Sequence, residues 1–548
     1  MSPTGMACFT VSRNGKLLFI RLLELSLRDQ CAHWSWQSPN NSGRFVRAFA
    51  RFSDISENPG DCHVASLLAM TAFFSNNNLS VRLRILLMVF SSIPFLYYFL
   101  PISLGGYFLM PGKAKNGWLL ACSLVFYGWG EPKLLWLMVS TILLFYGCGL
   151  GLDRAKGERE KKLWLTVSVV ISLGLLGVFK YADFFVASFN SLTGLSVPLL
   201  RLALPVGISF YTFQCLSYTI DLYRGNAQVQ KNIVHFGAYV AMFPQLIAGP
   251  IVRYVDVERQ LRQRQHSWEE FRLGLRRFLV GLGKKVILAD NFALLCNLYR
   301  ESGEQTVAFS WMYAVAFTFN IYFDFSGYSD MAIGLGRILG FRFPENFRYP
   351  YMSRSVTEFW RRWHMTLGGW FRDYVYIPMG GNRVSPGRWI CNILTVWMLT
   401  GLWHGAAWNF VLWGLLFAGL LLLEKWVPAL GKLPGLVRHG YVMLAVVLSF
   451  VLFNAGSLSQ AAADFGSLFG LAGLPLWGAE TGYYLRSFAP LFALGILGAT
   501  PLPHAIGERL EQTKLGGFLE AVLMTGLLLV CTGYLVDGSF SPFLYFRF

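Results

Sequence analysis

From Ile390 to Leu423 the chain is apolar throughout except for one strongly ionisable side chain, His404, set in Gly401-Leu402-Trp403-His404-Gly405. An ionisable group at membrane depth costs about 2.5 kcal/mol or more, and such groups face a cavity or a partner more often than lipid. Two further charged segments lie upstream in equally apolar surroundings. One is Phe359-Trp360-Arg361-Arg362-Trp363-His364; the other is Tyr322-Phe323-Asp324-Phe325-Ser326-Gly327-Tyr328-Ser329-Asp330. Together they point to a polar site enclosed within a membrane body.

The rest of the chain agrees with a polytopic membrane protein. Of 548 residues, 54% are hydrophobic and 14% charged, where a soluble domain carries roughly 25% charged residues. A span takes about 20 apolar residues, so roughly ten to twelve spans are expected, tilted and re-entrant ones included. The net charge of +17 is the Lys/Arg excess of cytoplasmic loops. No soluble, aromatic-interleaved basic domain stands apart from the spans, so nucleic acid is not an expected partner. The nine cysteines are scattered and form no Cys-x-x-Cys pair, which excludes a disulfide framework or thiolate zinc site.

Residues 1–87 are polar, rich in Ser, Asn and Arg, and contain no span or signal-peptide pattern. They read as a disordered extension or as sequence from a start site placed too far upstream, with a membrane domain occupying 88–548. Spans are expected near 88–110, 117–130, 134–152, 163–180 and 232–246, then near 440–453, 484–499 and 515–536. The basic loop Asp153–Lys162 falls on the cytoplasmic side. A segment near 205–224, opening on Pro205 and Gly207, suits a broken or re-entrant helix. Tyr254 to Lys285 is basic and amphipathic, either lying on an anionic leaflet or serving as a topology signal. No repeat of fixed period occurs, so an inverted-repeat transporter has little support.

Three groups of residues could do chemistry. His404, with Trp403, Trp408 and Asn409 around it, could take and return a proton at neutral pH; a packing histidine bonded to a neighbour's carbonyl is the alternative. His364 follows Glu358, Arg361 and Arg362. Glu358 and Arg362 are spaced to pair along a helix, and Arg361 and His364 to share a face. That segment lines an enclosed wet space or lies at the interface, held by its tryptophans. Asp324 and Asp330 bracket a Ser-Gly-Tyr-Ser piece expected to break a helix, where an acid could orient a histidine, pair with an arginine or simply pack. No phosphate loop, dinucleotide fingerprint, metal motif or serine elbow is found.

These motifs, with Asn346-Phe347, Pro350-Tyr351 and Tyr376-Ile377-Pro378-Met379-Gly380-Gly381-Asn382-Arg383, resemble the membrane-bound O-acyltransferase family, and within it the bacterial alginate O-acetyltransferases. The resemblance runs from Met88 to Phe548. It implies an all-α ring of spans and shorter tilted helices around a central funnel, in a multi-pass protein of the bacterial inner membrane. It maps the family's invariant histidine onto His404 and a second onto His364. The implied reaction moves an acetyl group from a cytoplasmic thioester, acetyl-CoA or similar, to an exported polysaccharide such as alginate. A periplasmic or secreted acetyltransferase- or esterase-like protein commonly completes the transfer, and no cofactor or metal is implied.

On this reading His404 is the general base, and His364 orients the acyl group or steadies the oxyanion. Arg361 and Arg362, with the basic segment after Tyr254, hold the donor's phosphates. Asp324, Trp363, Trp403 and Asn409 line the route, and both imidazoles border a channel. The rival from another class is a transporter or flippase of a polysaccharide secretion system, which makes no bond.

Overall fold

The computed structural model describes residues 88–246 and 249–537. The extension 1–87 and the terminal Ser541–Phe548 motif lie outside the described residues.

Among the described residues the fold is helical, without strands. The helices are α1 Leu100–Leu109, α2 Lys115–Gly130, α3 Leu135–Arg154, α4 Glu158–Leu176, α5 Ala182–Thr193, α6 Ile208–Tyr223, α7 Ile233–Ala241 and α8 Phe243–Leu246. Then come α9 Tyr254–Arg262, α10 Trp268–Gly283, α11 Asp290–Glu301, α12 Val307–Ile338, α13 Val356–Trp360, α14 Met365–Phe371 and α15 Pro386–His404. The last are α16 Trp408–Trp426, α17 Gly435–Asn454, α18 Leu458–Leu468, α19 Ala479–Gly498, α20 Leu502–Glu511 and α21 Gly516–Val536. Starts follow local chemistry. The side chains of Ser267, Thr306, Ser355 and Ser457 each accept a backbone N–H of the first turn of α10, α12, α13 and α18.

Among the described residues five helical segments are long and apolar enough to cross a bilayer: Pro132–Arg154, Glu158–Thr193, Trp408–Trp426, Gly435–Asn454 and Gly516–Val536. A sixth arises if α19 and α20, bent by 70°, count as one span. The polytopic class stands; the count of roughly ten to twelve is not established by length and composition. Part of the difference is that α6 and α7 are short and mostly enclosed by protein, where a helix need not match the bilayer's thickness.

Three local expectations change. The Ser-Gly-Tyr-Ser piece does not break its helix: α12 runs continuously through it. Tertiary packing overrides propensity here, because Gly327 is where α10 crosses. A methyl on Gly327 would lie 2.7 Å from the Gly281 carbonyl oxygen, and one on Gly334 2.5 Å from that of Gly274. The two helices therefore run antiparallel in backbone contact over two turns, as small residues permit.

Nor does the basic Tyr254–Lys285 segment lie as one helix on a leaflet. It divides into α9 and α10, and its cations are turned to carboxylates. Arg272 and Arg276 engage Glu511 and Glu520, and Arg277 engages Asp330 at 2.9 Å. Lys284 reaches Asp330, and Lys285 both Asp290 and Asp324, each at 2.7 Å.

The apolar run 390–423 is also not one helix. It turns back at Gly405-Ala406-Ala407, so that α15 and α16 pack as an antiparallel hairpin. Gly401 and Gly414 make the close crossing: methyls there would lie 2.2 Å from the carbonyl oxygens of Phe410 and Trp397.

Candidate active site

His404 is the last residue of α15, at the turn of this hairpin. Trp403 and Trp413 wall its ring at centroid distances of 5.1 Å, and Phe453 at 5.4 Å. His364 stands opposite, 6.4 Å away between ring centroids, and 5.7 Å from Trp403. The two imidazoles are 3% and 1% exposed.

His364 is placed by its backbone. Helix α13 ends at Trp360 and α14 begins at Met365, leaving His364 between them at φ +42°. A left-handed non-glycine residue costs roughly 1–3 kcal/mol and persists only where its surroundings hold it. Here Met365 N–H donates to the Asn346 carbonyl at 2.9 Å, and Gly368 N–H to that of His364 at 3.1 Å. The helix break means that Arg361 and His364 do not share a helical face, which corrects the reading from spacing.

Asn346 fixes the tautomer. Its Oδ1 accepts the Thr366 hydroxyl at 2.8 Å and the Thr366 backbone N–H at 3.4 Å, while its Nδ2 donates to Ser329 Oγ at 3.0 Å. Nδ1 of His364 lies 3.0 Å from that same oxygen, so it is Nδ1 that carries the hydrogen. Nε2 of the neutral ring keeps its lone pair and has no hydrogen-bond partner among the described residues. It is an acceptor, and a neutral ring so held cannot donate from Nε2 to an oxyanion.

The remaining candidates separate. Trp403 belongs to the site through its contacts with both histidines. Asn409 supports it from behind: its Nδ2 donates to the carbonyls of Phe453 and Ala455, at 3.4 and 2.9 Å, holding the start of α16 to the end of α17. Trp363 is 3% exposed and packs among Tyr351, Phe359, Phe347 and Phe450. Asp324 pairs with Lys285, while its neighbour Phe325 packs edge-on against His364 at 4.6 Å. Arg362 pairs with Glu358 at 2.7 Å, as their spacing requires, and Arg361 is exposed.

Two residues at the site were not foreseen. Lys180, in the π-helical turn Gly177–Tyr181 between α4 and α5, donates to the Trp403 carbonyl at 2.6 Å. Tyr181 OH donates to the Leu402 carbonyl at 2.9 Å. The available signal was a lysine that, with Asp183, interrupts the otherwise apolar stretch from Leu163 to Phe189.

Neither histidine borders the open cavity of about 760 Å³, which lies at the α3, α4 and α6 ends around Asp153, Lys161, Tyr223, Lys231 and Arg262. Aromatic side chains pack around both imidazoles.

An all-helical body with bilayer-length apolar spans and a pair of buried imidazoles defines a class: multi-pass membrane proteins with an enclosed histidine pair. The chain belongs to the membrane-bound O-acyltransferase family, whose sequence model matches residues 119–458. It is therefore an O-acyltransferase. It is 43% identical over 390 residues to a protein of Azotobacter vinelandii named probable alginate O-acetylase AlgI, covering 70% of this chain and 78% of that one. A Pseudomonas putida protein of the same name is 39% identical over 489 residues, covering 84% of this chain and 100% of that one. A peptidoglycan O-acetyltransferase of Helicobacter pylori is 34% identical over 432 residues, covering 72% and 82%.

Proposed function

We propose that the protein moves an acetyl group from a cytoplasmic thioester of the acetyl-CoA class across the bacterial inner membrane, for O-acetylation of an exported polysaccharide, alginate or a similar polymer. Residues 88–548 form the catalytic body. A periplasmic partner of the acetyltransferase or esterase type receives the group where this chain does not itself reach the polymer. The names of the relatives support the chemistry and the kind of acceptor. The observation that carries the reading here is the pair of facing imidazoles, His404 and His364, with Nε2 of His364 left as an acceptor.

In this mechanism an acceptor hydroxyl attacks the thioester carbonyl while His404 takes its proton. The C–O bond forms, the C–S bond breaks, and the departing thiolate takes back the proton that His404 holds. General base catalysis of this kind contributes about 10²–10⁴ in rate. His364 accepts a hydrogen bond from an N–H or O–H of the substrate and so orients it; with this tautomer, steadying the oxyanion falls to other groups. Because aromatic rings enclose both imidazoles, the substrate enters by displacing part of that wall. Arg361, exposed and three residues before His364 in the chain, is a candidate for a donor phosphate, whereas the cations of α10 are committed to carboxylates.

The test is acetylation of exported polysaccharide in cells carrying His404→Ala at unchanged membrane abundance. Loss of acetylation is expected, and normal acetylation overturns the general base. The transporter reading is tested by thiol release from acetyl-CoA with the purified protein: no release under conditions that support export would favour it.

A further inference from the structure

We infer that Lys180 is a positioning residue for acyl transfer, its amine fixing the end of α15 that presents His404. The inference rests on His404 being the base.

The last carbonyls of any α-helix lack intrahelical partners, and inside a membrane body there is no bulk water to satisfy them. α15 ends with His404, and the carbonyls just before it are claimed by a different part of the chain. Tyr181 OH takes Leu402 O at 2.9 Å, and Lys180 Nζ takes Trp403 O at 2.6 Å. Both donors sit on one π-helical turn, Gly177–Tyr181, a distortion that occurs frequently at functional sites. The amine also donates to Ser209 Oγ at 3.3 Å, near the start of α6, and lies 5.9 Å from the Trp403 ring centroid. One amine thus ties three elements to the backbone and the aromatic wall next to His404.

The kind of partner separates this lysine from the other buried one. Lys285 is matched by two aspartates; Lys180 has a carbonyl and a hydroxyl, with no carboxylate in contact among the described residues. A carbonyl alone could be capped by a neutral donor, as Tyr181 caps Leu402. An amine carries more than one N–H, so Lys180 reaches Trp403 O and Ser209 Oγ at once and joins α15 to α6, which a single hydroxyl donor does not. The lysine therefore holds the turn between α15 and α16 more rigidly than a hydroxyl would, and that turn sets the direction of the His404 ring.

The experiment uses the purified full-length protein in detergent, with acetyl-CoA as donor and thiol release as readout. Lys180→Met keeps the apolar stem and removes the donor. It is expected to lower kcat about tenfold or more with KM for acetyl-CoA changed by less than about twofold, the signature of a group that acts after binding. The thermal unfolding midpoint, read alongside, is expected to stay close to wild type. Tyr181→Phe removes the second carbonyl bond and is expected to lower kcat to a smaller extent, and it carries the test where Lys180→Met does not accumulate. Unchanged kcat in both variants overturns the inference, as does a rise in KM alone. Should His404→Ala retain activity, the general-base reading fails whatever Lys180 does. Should His404→Ala be inactive and both Lys180→Met and Tyr181→Phe turn over normally, only the positioning role fails.

Discussion

The α10–α12 seam and the histidine pair both bury ionisable groups, and they handle them in opposite ways. At the seam each charge is met by its opposite: Arg277 and Lys284 by Asp330, Lys285 by Asp290 and Asp324. Glycines let the two backbones touch, and ion pairs join them. At the histidine pair the walls are aromatic, and the Nε2 lone pair of His364 has no partner among the described residues. The difference teaches how to sort buried polar groups in a membrane protein. Neutralised charge serves architecture, whereas a preorganised, uncompensated acceptor serves chemistry.

That contrast can be broken most decisively at His404. His404→Ala is expected to reduce acetyl transfer by about 10²–10⁴ with little change in thermal unfolding; a large loss of stability with residual turnover would place this residue with the seam. Next in size, Lys285→Met leaves two buried aspartates without their cation. It is expected to cost about 3–5 kcal/mol of stability, read as lower membrane yield and unfolding midpoint, with turnover per folded molecule preserved.

Asn346→Ala sharpens the other side of the comparison. Without Oδ1 to receive the Nδ1 hydrogen, His364 loses its set tautomer, and kcat should fall roughly tenfold, part of what acid–base positioning supplies. Equal turnover would mean that the tautomer is irrelevant.

The smallest effect belongs to Asp373, outside the spans, which is held by Arg253 and Arg372, each at 2.7 Å. Burial raises its pKa, but the hydrogen bonds from Arg372 and Arg253 outweigh that and hold the carboxyl below its usual value. Its contribution is present above the unfolded value of about 3.9 and is lost as pH falls through the lower folded value. Asp373→Asn should therefore cost about 1 kcal/mol or less at neutral pH, and its stability should converge on wild type in acid.

Both histidines, Trp403 and the Glu358–Arg362 pair were legible in the chain, because motif and helical spacing are local properties. Where each helix stops was less so. Gly405 turns the chain at an extended φ of −166°, which any residue can adopt, so nothing in the residue type announced the hairpin. Gly327 looked like a breaker because the partner that needs its bare backbone, Gly281, lies forty-six positions away. The cation that Asp324 meets, Lys285, lies on the turn after α10 and is likewise distant in sequence. Lys180 and Trp403 are 223 positions apart, a bond that no window of sequence contains. The resemblance to a family named the histidines, and only coordinates could show what holds them.

The α4–π–α5 rod also sets a depth. It is 36 residues long, about 54 Å at 1.5 Å per residue, against roughly 30 Å of hydrocarbon. Lys180 lies 22 residues past Glu158 (180 − 158), or about 33 Å along the axis. Lys180 thus lies farther from the charged first turn of the rod than half the hydrocarbon thickness, and its bond to the Trp403 carbonyl anchors the α15–α16 hairpin deep along the span rather than at that charged end.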